Sequence, residues 1–304
     1  MTLIEKEWYI QAPWGRICIM AWGDCCNPPV LVCHGTCDTM VSFRPLIKLL
    51  PRKFYYIGMD LPGNGKSDPM PPGLMISTYD LVYSLQVVVK HFRWDSFVFI
   101  GHSLGCTLGK FYDLSYPGKI CKSIELDPMP YNVTVPADKF AKWYNVYFLD
   151  YFDNYEKFNS NLKPKITRQE AILKIVNRRG ISKEISETIM ERMIETFSDG
   201  LVRFTYDDRY QKITFPPFSA NYKKTLFMSL KTPTLTIIAS DSVKSNKYNT
   251  CDYLLSENPA YPNYRVRQIE GNHDLHIIHP DRIASYIAQF LLNGLSSLDN
   301  KAKL

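Results

Sequence analysis

Apolar residues in the first 130 positions follow two alternating patterns, which predicts strands separated by helices. Short apolar runs bounded by turn residues predict strands at PVLVCHG (29–35), FYYIGMD (54–60), SFVFIG (96–101) and ICKSIELD (120–127). Helical spacing predicts helices over residues 40–50, 77–92 and 104–117. Upstream of these, EWYI and RICIMAW flank Pro13-Trp14-Gly15 and predict a β-hairpin. Strands and helices that alternate in this way predict an α/β fold with a mostly parallel sheet.

The strand pattern stops between residues 129 and 228. Helical spacing there predicts helices over residues 137–158, 167–179 and 182–197. Strand patterns then return at 234–240 and 264–270, and a closing helix is predicted at 281–295. We therefore predict one α/β core interrupted by a helical cap after the sixth core strand. The predicted core comprises residues 1–128 and 229–304, and the predicted cap comprises residues 129–228.

Composition and charge argue against several classes of protein. Of 304 residues, 45% are apolar and 22% are charged, as in an ordinary globular enzyme. The net charge of +6 is spread along the chain, so we expect no nucleic-acid partner. We interpret this charge first as an ordinary solvated surface and only second as a sign of an anionic substrate. No apolar run reaches the roughly 18–20 residues of a membrane span, and the first residues lack a signal-peptide pattern. The eight cysteines show no paired metal-site spacing, so we expect reduced thiols in a reducing compartment.

The stretch Gly101-His102-Ser103-Leu104-Gly105 lies between a predicted strand and a predicted helix. A sharp strand-to-helix turn with this G-x-S-x-G pattern raises a serine hydroxyl above the sheet edge, and the glycines leave room for neighbouring backbone. Ser103 is therefore the candidate nucleophile.

A serine nucleophile of this kind needs two amides that stabilise an oxyanion. The Leu104 amide is one candidate, and the Thr36 amide, in the loop after the first core strand, is the other. His34 and Gly35 lie beside this loop, and we expect both, with His102, to lie next to bound substrate. His34 could also be read as a base, but its position at a strand end favours a structural role.

At this point the chain resembles the α/β-hydrolases, and more narrowly the serine hydrolase-like (kraken-like) proteins of animals. The matching segments are APWGRICIMAWG, PPVLVCHGTCDTMVSFRPLIKLLP, FYYIGMDLPGNGKSD, IGHSLG and GNHDLHIIHP. They span the predicted core, whereas the predicted cap matches only loosely. Asn64 is a departure, since many relatives have histidine there in the pattern D-x-P-G-H-G-x-S.

The resemblance implies that the catalytic base follows the last strand, which points to His273. His276 and His279 follow closely, so a metal site built from all three histidines is an alternative. The strand-exit loop runs directly into Pro280, which makes convergence of three rings awkward. We therefore expect no metal and no cofactor, with His276 packed behind His273 and His279 at the surface or capping a helix.

Two residues are candidates for the acid that orients the base. Asp127 ends a predicted strand 24 residues after Ser103, a position used by some branches of the family. Asp241 follows a later strand, where most of the family carries the acid, but it comes one residue early for the usual pattern. We favour Asp127 and keep Asp241 as the alternative.

The predicted cap begins with a helix rich in aromatic residues. At helical spacing most of them are expected to be core, and the remainder, including Trp143 and Tyr147, are expected to line the acyl side of a pocket. Together these features predict a cofactor-free serine hydrolase that cleaves esters or thioesters of apolar acyl groups. The alternative is a non-hydrolytic small-molecule binding protein that retains the triad pocket.

The chain ends with Ala302-Lys303-Leu304, a conservative variant of the Ser-Lys-Leu peroxisomal address. It predicts binding to the peroxisomal import receptor and location in the peroxisome, with the cytoplasm as the alternative.

We expect a fluorescent reporter fused before the native C-terminus to enter peroxisomes, because the receptor reads a free C-terminal leucine. The same reporter with a tag after Leu304 should stay in the cytosol. Microscopy against a peroxisomal marker measures both. A diffuse signal from the native C-terminus in import-competent cells would contradict the prediction.

Overall fold

The centre of the fold is an eight-stranded sheet. A computed structural model describes residues 4–129, 135–160 and 163–299. The strands in these ranges are β1 (Glu5–Ala12), β2 (Gly15–Trp22), β3 (Pro29–Cys33), β4 (Tyr55–Met59), β5 (Phe97–His102), β6 (Ile120–Leu126), β7 (Ile194–Thr196), β8 (Val202–Phe204), β9 (Thr234–Ala239) and β10 (Tyr264–Ile269). The order in the large sheet is β1-β2-β4-β3-β5-β6-β9-β10, antiparallel at β1–β2 and β2–β4 and parallel elsewhere. The predicted α/β fold and the predicted β1–β2 hairpin are confirmed.

Helices cover both faces of this sheet. The α-helices in the described ranges are α1 (Arg44–Ile47), α2 (Thr78–Phe92), α3 (Leu104–Ser115), α4 (Phe140–Tyr144), α5 (Asp150–Asp153), α6 (Tyr155–Asn159), α7 (Arg168–Arg179), α8 (Lys183–Met190), α9 (Ala220–Met228), α10 (Ser240–Lys244), α11 (Leu275–Ile278), α12 (Asp281–Asn293) and α13 (Ser296–Asp299). The apolar residues of α2 and α3 join one buried cluster, and those of α1 and α12 join another. Alternate residues of β2 divide between them: Ile17 and Ile19 join the first cluster, and Cys18 and Met20 the second. This period of two is why the central strands are apolar throughout.

The segment between β6 and β9, called the insertion below, carries α4 to α9 and the β7–β8 hairpin. The prediction of one helix over residues 182–197, and of no strands between 129 and 228, was wrong. The helix ends at Met190, and Ile194–Thr196 pairs antiparallel with Val202–Phe204 across a turn at Gly200. Met193 and Ile194 continue the helical spacing of Ile189 and Met190, so periodicity alone did not show where the helix ended.

The aromatic segment predicted as one helix over residues 137–158 is divided. It forms α4, a π-helical turn at Asn145–Leu149, α5 and α6. Asn154 separates the last two, and its side-chain amide donates to the Asp150 carbonyl. Tyr151 and Phe158 are buried, whereas four of the aromatic side chains are exposed: Phe140, Tyr144, Phe152 and Tyr155. The expectation that most of this set is core was therefore wrong.

Two sequence expectations concern features beyond the sheet. Ala302-Lys303-Leu304 lies outside the described residues. Within the described ranges, no helix is long and apolar enough to cross a membrane.

Candidate active site

Ser103 occupies the turn between β5 and α3. Its backbone has φ 53° and ψ −115°, a conformation that costs an L-residue free energy, and its amide donates to the Leu126 carbonyl of β6 at 3.1 Å. Ser103 is 4% exposed, so little of it remains in contact with solvent. The two neighbouring strands thus fix the serine at the carboxyl edge of the sheet.

Glycines allow backbone to approach this turn. A Cβ on Gly105 would lie 2.2 Å from the Cys33 carbonyl oxygen, and one on Gly101 would lie 2.7 Å from the Cys106 nitrogen. A Cβ on Gly35 would lie 3.0 Å from the Ser103 Cβ and 3.1 Å from His102 Nδ1. Gly35 therefore lets the loop after β3, which carries Thr36, pack directly against the serine.

The structure pairs Asp127 with His273. Asp127 Oδ2 lies 2.5 Å from His273 Nδ1, and the carboxylate also accepts from Ser242 Oγ at 2.5 Å, Tyr248 Oη at 2.9 Å and the Ala239 amide at 2.9 Å. Burial raises the pKa of Asp127, but its hydrogen bond with His273 and the charge of that ring outweigh burial, so the pKa lies below the ordinary value. Asp127 is therefore held as a carboxylate against the ring.

Asp241 lies elsewhere on the same sheet edge. Its side chain is 54% exposed, and Oδ1 lies 3.3 Å from Lys244 Nζ. Its amide donates to the Gly271 carbonyl at 3.1 Å. The backbone of Asp241 thus helps to hold the loop before His273, while its side chain pairs with a surface lysine.

Sequence reasoning missed the two hydroxyl groups that anchor Asp127. Ser242 is the residue after the alternative acid, and Tyr248 comes from the segment after α10; both are buried. Neither belongs to a motif quoted above. A serine directly after Asp241, three residues beyond the end of β9, is the signal that the sequence offers.

The other predicted histidines have distinct surroundings. His34 is fully buried; its Nε2 accepts from the Leu61 amide at 2.9 Å and its Nδ1 lies 2.7 Å from the Gly35 carbonyl oxygen. Both ring nitrogens of His34 are therefore hydrogen-bonded, which supports a structural role.

His102 is held against the loop of His273. Its Nε2 lies 2.9 Å from the His273 carbonyl oxygen and, because a carbonyl only accepts, carries a proton.

His276 packs against His102. Their ring centroids are 4.1 Å apart, and the His102 ring lies 4.6 Å from that of His273. Burial lowers the pKa of His276 to about 4, although Asp274 and Asp38 oppose that change. Burial also lowers the pKa of His102 well below its ordinary value. His279 is the C-cap residue of α11.

Arg179, at the end of α7, joins the insertion to two loops of the core. Its Nη1 lies 2.9 Å from Asp38 Oδ1, and its Nη2 lies 2.5 Å from Asp274 Oδ1. Burial raises the pKa of Asp274, but Arg179 more than reverses this and brings it to about 2. Asp274 directly follows His273, so this ion pair fixes the loop of the candidate base.

Within the described part of the chain, one cluster of buried side chains has metal-ligand chemistry. Asp38, His102 and His276 each offer one ligand atom, and these atoms lie within 4.8 Å of one another. Arg179 already bonds both carboxylate oxygens of Asp38. A cation there would compete with that guanidinium. The trio His273, His276 and His279 is not among the clusters formed by described residues.

A cavity of about 590 Å³ opens at this sheet edge. Its walls include five of the predicted site residues, Gly35, Thr36, His102, Ser103 and His273, and also Asp241. Of the described residues expected at the pocket, His34, Trp143 and Tyr147 are not in its walls. Trp143 instead packs against Phe140, Tyr147 and Phe148. The insertion contributes other apolar side chains, namely Ile175, Met193, Phe204 and Tyr206.

Comparison with known proteins shows which family the chain belongs to. A family model for the alpha/beta hydrolase fold matches residues 28–280. The chain belongs to the α/β-hydrolase family. This α/β-hydrolase is 27% identical over 304 residues to the serine hydrolase-like protein of Mus musculus, covering 95% of this chain and 96% of the relative. It is 25% identical to serine hydrolase-like protein 2 of Homo sapiens, covering 94% of each chain. The expected resemblance to animal serine hydrolase-like proteins is confirmed.

Solved structures show the same fold. A hypothetical protein from Pseudomonas aeruginosa PAO1 superposes on the α/β-hydrolase with a TM-score of 0.78 at 21% identity, covering 94% of this chain and 97% of that one. The thioesterase domain from the curacin biosynthetic pathway superposes with a TM-score of 0.70 at 18% identity, covering 93% and 99%. At these identities, both comparisons show that the chains share the fold.

We expect His276 to make stability depend on pH. Its pKa is about 4 in the folded protein against 6.5 ordinarily, so between these values the unfolded chain binds the extra proton. Stability is therefore fully present above pH 6.5 and is lost as the pH falls toward 4, by roughly 3 kcal/mol from this group. Urea unfolding of the native protein and of His276→Gln at pH 7 and pH 5 measures the difference.

The change His91→Gln, at an exposed histidine, serves as the control and should leave the pH slope unchanged. An equal slope in His276→Gln and the native protein would show that His276 contributes no such dependence.

Proposed function

We propose that this α/β-hydrolase is a cofactor-free serine hydrolase that cleaves esters or thioesters of apolar acyl groups through an acyl-enzyme. The observation that carries the proposal is the contact of buried Asp127 with His273, which lines one cavity together with Ser103. The names of the animal relatives and the fold shared with a thioesterase domain agree with it.

The proposed reaction uses these side chains in order. Ser103 Oγ attacks the acyl carbonyl while His273 Nε2 takes its proton, and Asp127 stabilises the imidazolium through Nδ1. The amides of Leu104 and Thr36 stabilise the oxyanion. His273 returns the proton to the leaving alcohol or thiol as the acyl-enzyme forms. Water then attacks the acyl carbonyl while His273 takes its proton, the bond from the acyl carbon to Ser103 Oγ breaks, and His273 returns the proton to Oγ as the acid leaves.

The position of Leu104 supports its part in this reaction. Leu104 is the first residue of α3, where an amide has no intrahelical acceptor and the helix dipole favours negative charge. The Gly35 contact brings the Thr36 loop against Ser103 from the other neighbouring strand.

The cavity supports the substrate class. A volume of about 590 Å³ is within the usual range for small-molecule sites. Met129, Ile175, Met193 and Phe204 provide apolar wall for an acyl chain. Because all four belong to the insertion, we also propose that residues 129–228 act as a lid. We propose separately that Ala302-Lys303-Leu304 directs the enzyme to the peroxisome.

We expect Ser103 to react covalently with a fluorophosphonate probe, because the pair Asp127–His273 activates its hydroxyl. Peptide mass spectrometry locates the adduct, and short p-nitrophenyl esters measure turnover. Ser103→Ala should lose both labelling and turnover. Labelling absent from Ser103 together with no ester turnover would favour a non-hydrolytic binding protein.

The two candidate acids should differ sharply in their effect on turnover. Asp127→Asn should lower kcat by three or more orders of magnitude, since the equivalent change in a serine protease costs about 10⁴-fold. Asp241→Asn, which changes an exposed side chain, is the matched control and should lower kcat only a few-fold. Both are assayed on one ester, with circular dichroism to confirm folding. A crippled Asp241→Asn beside a nearly normal Asp127→Asn would move the acid to the later strand.

A further inference from the structure

Three cations stand at the exposed rim of the candidate active-site cavity. Lys174 and Arg178 lie one turn apart on α7, and Lys247 lies in the segment after α10. All three line the cavity, and all three are exposed to solvent. The cations therefore come from two separate elements, the insertion and the core.

No carboxylate among the described residues forms a salt bridge with any of these three side chains. Arg178 donates instead to the Thr36 carbonyl at 3.4 Å. Asp241 is the exposed carboxylate of the cavity wall, and Lys244 pairs with it at 3.3 Å. The rim consequently carries an excess of positive charge.

The buried floor of the cavity carries an excess of negative charge. Asp38 and Asp274 share the single guanidinium of Arg179, and Asp127 lies behind His273. This excess of negative charge suits the imidazolium that forms on His273 during the reaction. It also repels a substrate anion from the floor, so an anion is favoured only at the rim.

From this polarity we infer that the preferred substrate is an ester or thioester with an anionic group, a carboxylate or a phosphate, held at the rim by Lys174, Arg178 and Lys247 while its carbonyl lies at Ser103. The inference rests on the proposed function and adds the charge of the substrate to it. The rim takes the charge, and the apolar wall takes an uncharged part of the substrate.

Two pairs of matched substrates test the inference and locate the anion. S-butyryl-4′-phosphopantetheine and S-butyryl-pantetheine share the thioester and differ in a phosphate on the leaving group. Mono-4-nitrophenyl glutarate and 4-nitrophenyl butyrate share the leaving group and differ in a carboxylate on the acyl part. The measured quantity is the ratio of kcat/KM, anionic over neutral, for each pair.

We expect this ratio to exceed ten for one pair in the native enzyme and to fall about eight-fold in K174Q/R178Q/K247Q, roughly two-fold for each exposed cation. Raising NaCl to about 0.5 M should lower the ratio as well, because exposed charges are screened. K53Q/K183Q/K231Q removes the same net charge at exposed lysines outside the cavity wall and should keep the native ratio. Since Arg178 contacts the Thr36 loop, K174Q/K247Q repeats the test without it and should lower the ratio about four-fold.

The possible failures are distinguishable. Ser103-dependent turnover of the neutral substrates with ratios near one, or ratios equally reduced in both triple variants, would overturn the inference and leave the proposed function standing. Absence of turnover on all four substrates would overturn both.

Discussion

The candidate active site depends on one buried charge, the carboxylate of Asp127. An ion of this kind loses several kcal/mol of hydration on burial unless hydrogen bonds replace it. Here the donors come from the end of β9, from α10, from the segment that follows it and from the His273 loop. Four parts of the chain must therefore reach their positions before this charge is compensated. The position of His273 consequently depends on the same packing that completes this edge of the sheet.

The backbone around Asp127 shows the same constraint. Asp127 has φ 43°, outside the region that most L-residues adopt, and its amide donates to the Ile237 carbonyl at 2.7 Å. Ser103 has a similar left-handed φ at the end of the neighbouring strand. Both strained residues are at the carboxyl ends of parallel strands, where the hydrogen bonds of the sheet hold them in place.

Much of this arrangement could be predicted from local pattern. The period of the apolar residues placed β3, β5, β6, β9 and β10, and parallel strands bring Ser103, Asp127 and His273 to one edge. The choice of the acid stayed open because Asp127 and Asp241 both follow strands at that edge, and a position after a strand does not tell where a side chain points. The contacts that distinguish them come from Ser242 and Tyr248, which no spacing rule connects to Asp127.

The insertion was harder to predict for physical reasons. Its short helices bury few residues each, so tertiary contact outweighs periodicity, as the hairpin after Met190 and the exposed Phe140 show. Trp143 and Tyr147 were assigned to the pocket on chemical type alone, but they pack with other aromatic residues. Some residues of the insertion that do reach the cavity, such as Ile175, belong to the capped and regular α7, whereas Met193 and Phe204 reach it from the hairpin region that periodicity did not predict.

The ion pairs of Arg179 limit how freely the insertion can be exchanged between related proteins. It ends α7 and bonds Asp38 on one loop and Asp274 on another, so the insertion and the core share a buried junction. A foreign insertion grafted into this scaffold, whether by recombination or by an engineer, would leave two adjacent aspartates without their cation unless it supplied an arginine at the same place. The insertion is thus only partly interchangeable, and chimeras that keep the end of α7 also keep the ion pairs that hold the loop of His273.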